Sequence, residues 1–215
     1  MLKEYMLEKL EKEYRLEKRD LGDYAKISRL VVNFINEAWR VEGVGNLFAM
    51  DMSAMFGLMK METLVLCPEE KDLSFLSCDG IHVSGNDTVI MEMDRSALHE
   101  EDLSVFEPLK EKYAYLEDYQ AEPRWYDSYH LSSTICKKGK KQTADLEAFG
   151  REYIDIYLQA LKDAPVCDPE AKRQATADYA QRLIREGGVA VDGMTKMIGA
   201  NRTEKLVAEY MFHIR

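Results

Sequence analysis

Four short apolar segments between residues 47 and 93 constrain this chain more than any other feature. Residues 47–52, 61–67, 81–83 and 88–93 are rich in Val, Ile, Leu and Met and are separated by turn residues. Ser84-Gly-Asn-Asp87 is hairpin-turn material between the last two. Sequential strands joined by turn residues, the last two by a hairpin, pair antiparallel. The segments therefore predict an antiparallel meander and exclude a βαβ array. Residues 28–42 are ambiguous by pattern. Ile27, Leu30, Val31, Phe34, Ile35 and Ala38 fit a helix face, yet Val31-Val-Asn-Phe-Ile-Asn36 is equally good strand material. Gly43-Val-Gly45 ends the run as a turn.

The period changes on either side of the meander. Leu2, Met6, Leu10 and Tyr14 mark an amphipathic helix within residues 1–19. A further helix is expected near 104–118 and a strand at 131–136. Leu146, Phe149, Tyr153, Ile156, Tyr157, Ala160 and Leu161 recur at helical spacing. Asp168-Pro169-Glu170 reads as N-cap and first turn of the next helix, which stops at Gly187-Gly188. Asn201-Arg-Thr-Glu204 opens a last helix running to the terminus. Strands followed by helices give an α+β class: an α/β/α sandwich with a central antiparallel sheet flanked by helices, organised as one domain over residues 1–215.

Composition narrows function by exclusion. A net charge of −10 lacks the cationic footprint that nucleic-acid binding needs. No apolar run reaches membrane-span length, and the first ten residues mix acids with bases, unlike a secretory signal, so a cytoplasmic location is expected. Cys67, Cys78, Cys136 and Cys167 form no Cys-x-x-Cys pair, so reduced thiols and no zinc ribbon or iron–sulfur ligand set are expected. No P-loop, dinucleotide fingerprint or Gly-x-Ser-x-Gly is present. Cys78 and His82 offer at most two ligands, so no metal site is expected.

What remains is carboxylates on strands. Asp79 follows Ser77-Cys78, between a charged loop and the apolar stretch 81–83, and reads as an acid at a strand mouth. Asp51 and Glu62 interrupt two other apolar strands. Alternation places His82 on the face opposite Asp79. Two readings stay open. The acids line a solvated sheet face, or they line an apolar pocket in which burial raises a carboxyl pKa and makes a general acid. Lys137-Lys-Gly-Lys-Lys141 is a basic knot in an acidic chain, either a solvated loop or a docking spot for an acidic partner.

Four segments together resemble the ferredoxin-dependent bilin reductases. They are residues 64–79 with Pro68 and Cys78-Asp79, the hairpin 81–94, Pro123-Arg-Trp125 with the strand and helix that follow, and the closing helices over 182–211. The likeness rests on their order and spacing and covers about two thirds of the chain. It implies the same sandwich and resolves 28–42 as largely strand. It also implies reduction of a linear tetrapyrrole by coupled electron and proton transfer, with no bound flavin or metal and electrons from reduced ferredoxin. Asp79 matches the family's catalytic aspartate, and Asp51 falls near a pocket glutamate. The family's pocket histidine falls at Thr63 or Glu62, and its Asn-Asp pair near Gly187-Gly188; neither is retained. On this reading Asp79 and Asp51 are catalytic. Thr63, Glu62, Trp125 and His130 line the tetrapyrrole site, and Lys137, Lys138, Lys140 and Lys141 meet ferredoxin. The alternatives are a non-catalytic tetrapyrrole carrier that kept the pocket and lost the relay, or an unrelated interaction domain.

Overall fold

A computed structural model describes residues 2–215. Its frame is one antiparallel sheet of nine strands: β1 Leu16–Lys18, β2 Lys26–Arg29, β3 Val32–Val41, β4 Gly45–Ala54, β5 Met59–Pro68, β6 Phe75–Val83, β7 Asn86–Asp94, β8 Glu117–Asp118 and β9 Ile135–Lys140. Spatial order is β1-β3-β4-β5-β6-β7-β9-β8, with β2 also paired to β3. The expected meander is the middle of this sheet, β3 to β7, and the ambiguous residues 28–42 are strands. The helices are α1 Leu2–Glu13, α2 Glu107–Lys112, α3 Thr143–Asp163, α4 Pro169–Glu186, α5 Val189–Ile198 and α6 Ala200–Lys205, the last continuing as a π-helical turn, Leu206–Met211.

Helices cover both faces of the sheet, which is why Leu64-Val-Leu-Cys67 is apolar without alternation. On one face α1 and α3 bury Leu47, Ala49, Leu64, Leu66 and Cys78 beneath Met6, Phe149, Tyr153 and Tyr157. On the other, α4 to the π-helical turn bury Phe48, Met50, Val65, Cys67 and Phe75 beneath Tyr179, Val207 and Phe212. Alternation therefore assigns every strand residue to one layer or the other. Gly45 lets β4 start hard against its neighbour: a Cβ there would sit 2.1 Å from the Cys67 carbonyl oxygen. Asn46 then ties sheet to C-terminus, its Nδ2 donating to the Tyr210 and Met211 carbonyls at 2.9 and 3.0 Å.

Several boundaries differ from the sequence reading. The N-terminal helix stops at Glu13, and residues 16–18 are an edge strand; residue 1 lies outside the described residues. Residues 104–118 hold only a short 3-10 turn, the six-residue α2 and β8. The last strand is Ile135–Lys140 rather than 131–136. Asp168 caps α4 as expected, accepting from the Glu170 amide at 2.9 Å, and Gly187 ends it at φ 79°. The final helix starts after Gly199 without a side-chain cap, so Asn201 lies inside it.

Candidate functional site

Asp79 sits in the middle of β6, not at a strand mouth. Its registry neighbours are Thr63 on β5 and Ile90 on β7. The same registry sets Met50 beside Thr63, so Met50, Thr63, Asp79, Ile90 and Cys136 form one row across five strands. The Thr63 hydroxyl donates a short hydrogen bond to Asp79 Oδ1.

The row lies on the α4–α6 face, but those helices do not pack over all of it. Among β6 and β7 residues facing this side, Ser77, Asp79, Ile81, Thr88, Ile90 and Glu92 keep accessible surface, while Cys78, Val89, Met91 and Met93 on the reverse are buried. A hollow therefore remains above β6, β7 and β9. One wall is the loop carrying Trp125, Tyr126 and Tyr129, of which Trp125 and Tyr129 pack against Tyr179 of α4 at 5.6 and 5.3 Å between ring centres. The Trp125 indole N–H donates to the Gly187 carbonyl at 2.8 Å, and the Arg182 guanidinium lies 4.7 Å above its ring. The loop is pinned to the end of β7 by Arg95 N–H to Tyr129 O and Leu131 N–H to Met93 O, both 2.9 Å. That pairing sets His130 opposite Asp94.

The electrostatics of this hollow favour neutral acids. Burial raises the Asp79 carboxyl to about 6 against the opposing hydrogen bond from Thr63. Burial also raises Asp94 to about 8, with the Asp127 charge adding to it. Glu92 is pushed well up by burial first and then by Asp94 and Asp79. His130 is lowered, again by burial. Glu92 and Asp94 were missed at sequence level, although Met91-Glu-Met-Asp94 alternates and sets both acids on the Asp79 face.

The other sequence candidates separate. Asp51 and Glu62 are corrections: both point to the α1/α3 face, opposite Asp79. Asp51 is ion-paired to Lys3. Glu62 accepts from the Leu2 and Lys3 amides at 2.8 and 3.0 Å, holding the start of α1 where a carboxylate complements unpaired N–H groups. One residue of register thus decides the matter, and Thr63 rather than Glu62 stands beside Asp79. The face with Asp51 and Glu62 carries a separate cavity of about 490 Å³, also lined by Leu2, Gly80, Val89 and Leu146. His82 lies there too, bonded to Asp87 at 2.6 Å.

The basic knot is strand rather than loop. Lys137 is 4% exposed and donates to Asp118 at 2.6 Å, so it is not a docking residue. Lys138 pairs with Glu117 at 2.9 Å, whereas Lys140 and Lys141 are exposed.

No protein-family model matches the sequence. No curated protein matches it either. The fold is nevertheless shared with a solved structure, that of phytochromobilin synthase from tomato in complex with biliverdin. The TM-score is 0.78 at 13% identity, over 99% of this chain and 82% of that one. The architecture is therefore the α/β/α sandwich that the sequence predicts, and it is shared with that solved structure. No described helix is long and apolar enough to cross a membrane.

Proposed function

We propose that the protein reduces a linear tetrapyrrole with electrons from reduced ferredoxin, binding the substrate in the hollow above β6, β7 and β9. The observation that carries this reading is Asp79: a carboxyl raised to about 6, beside Thr63, on the floor of an aromatic-walled hollow. Reducing one double bond takes two electrons, delivered singly by two ferredoxins, and two protons. The Asp79 carboxylic acid donates one proton to a carbon of the tetrapyrrole as an electron arrives, and solvent supplies the second proton and reprotonates Asp79. Trp125, Tyr126 and Tyr129 offer flat apolar surface to a conjugated substrate. His130 lines the same hollow. No bound flavin is required, and a cytoplasmic setting supplies ferredoxin.

Lys138 and Lys140 lie on the Asp79 face of β9, further along the strand from Cys136, and Lys141 follows. Together they suit transient docking of an acidic electron donor, weakened by salt. A carrier without turnover is the second reading. It is favoured by one observation: the row holds Met50 where a further acid would assist Asp79.

Titrating the protein with biliverdin tests the binding step. A saturable change in the visible absorption band is expected at micromolar concentration. An unchanged spectrum with linear and cyclic tetrapyrroles alike would dismiss both reductase and carrier.

The proton step gives a pH signature. Asp79 must be protonated to donate, so turnover limited by it falls about tenfold per pH unit above about 6. Folding follows the same sign. The folded state holds this proton more tightly than an unfolded aspartate near 3.8, so Asp79's contribution to stability declines as pH rises from about 4 to about 6, then levels. A pH–rate profile flat from 5 to 8 would remove Asp79 as the donor.

A further inference from the structure

His130, Glu92 and Asp94 meet at the inner end of the hollow with their ligand-type atoms all within 4.8 Å of one another. The separations have an odd length. His130 Nε2 is 3.5 Å from Asp94 Oδ1 and 3.6 Å from Glu92 Oε1. Those distances are too long for good hydrogen bonds. They match what two ligands adopt across a shared ion: at metal–ligand bonds near 2.1 Å and a tetrahedral angle, the ligands stand about 3.4 Å apart.

A second observation points the same way. Asp94 is fully buried, at 0% exposure, yet neither of its carboxylate oxygens has a hydrogen-bond partner among the described residues, and nor does His130 Nε2. Buried polar atoms without partners are rare and costly, and an ion that they ligate removes the cost for all of them together. Two carboxylates and one neutral imidazole supply two negative charges, which a divalent cation balances. The backbone holds the set rigidly, since Glu92 and Asp94 alternate on β7 and His130 is bridged directly to Asp94.

We propose that Glu92, Asp94 and His130 bind a divalent transition-metal ion, of which Zn²⁺ fits the ligand set best, leaving a coordination position open to the hollow. One nitrogen and two oxygen ligands suit Zn²⁺ better than the all-oxygen preference of Mg²⁺ or Ca²⁺. Zn²⁺ has no redox chemistry, so the site adds charge and Lewis acidity rather than an electron path. This goes beyond the tetrapyrrole reading and neither requires nor excludes it.

The test uses the full chain without any bilin. After dialysis against a chelator, Zn²⁺ is titrated in competition with a chromophoric chelator, and Co²⁺ is added as a spectroscopic substitute. One equivalent of Zn²⁺ and visible Co²⁺ ligand-field bands of low-coordinate intensity are expected. Removing an outer-sphere partner of a metal site costs 10–100-fold in affinity, so Asp94→Asn and His130→Gln, which remove ligands, should each cost roughly 100-fold or more. His82→Gln, on the other face of the sheet, should leave binding unchanged. Should the ligand variants fail to fold, X-ray absorption of the wild-type Zn²⁺ form decides: one imidazole with oxygen ligands supports the site, and a shell without imidazole overturns it. No stoichiometric binding, or equal binding by a folded double variant Asp94→Asn, His130→Gln, overturns it as well.

Discussion

Asp79→Asn is expected to lower ferredoxin-dependent turnover of a bound tetrapyrrole by roughly 10²–10⁴-fold, the usual worth of a positioned general acid. Tetrapyrrole affinity should change by only a few fold. The amide keeps the side chain's shape and can still accept from the Thr63 hydroxyl, so the row across β4 to β9 is preserved. What it loses is the transferable proton. The measurement separates binding, read from the visible spectrum, from single-turnover reduction under reduced ferredoxin without oxygen. Unchanged turnover would take Asp79 out of the mechanism. A parallel loss of binding and turnover would make its role one of substrate holding.

The second large effect is structural. Phe75→Ala should destabilise the protein by about 3–5 kcal/mol, the range for truncating a buried phenylalanine. Phe75 is 0% exposed at the start of β6 and meets Tyr179 and Phe212 edge-on at 4.9 and 5.4 Å. It is the point where the C-terminal helices are anchored to the strand that carries Asp79. The cavity left behind lies between those layers, so the Trp125–Tyr179 wall should loosen as well. Urea unfolding followed by circular dichroism gives the first number, and tryptophan fluorescence reports the second. A loss below about 1 kcal/mol would show that this layer collapses readily onto the sheet.

The meander was legible in the sequence because its turns are short and its strands alternate or run apolar throughout. The α4 boundary was legible for a chemical reason: Asp168 and Pro169 start a helix and Gly187 ends one. The face of an acid relative to another strand's acid was not legible. That relation depends on how many residues the intervening turn absorbs, and the β4–β5 turn absorbs them with Met55 and Phe56 in left-handed conformation. The resemblance therefore set Asp51 in the site, one residue away from Met50, which shares the row with Asp79. Asp79 itself was set at a strand mouth because the polar Ser77 and Asp79 hid a strand that alternates from Phe75 onward. Glu92 and Asp94 carried the same period-two signal and were read only as the tail of a hairpin. Lys137 looked solvated by composition, yet it is buried and donates to Asp118, its cross-strand neighbour on β8.

The most direct test is an anaerobic reaction of the protein, biliverdin and a ferredoxin reducing system, with the pigments separated by chromatography. A reaction in which biliverdin disappears, giving a product two hydrogens richer at a rate that falls above pH 6 and drops at least about 100-fold in Asp79→Asn, is the predicted result. Biliverdin recovered unchanged from a saturated complex, with ferredoxin kept reduced throughout, would contradict the reductase.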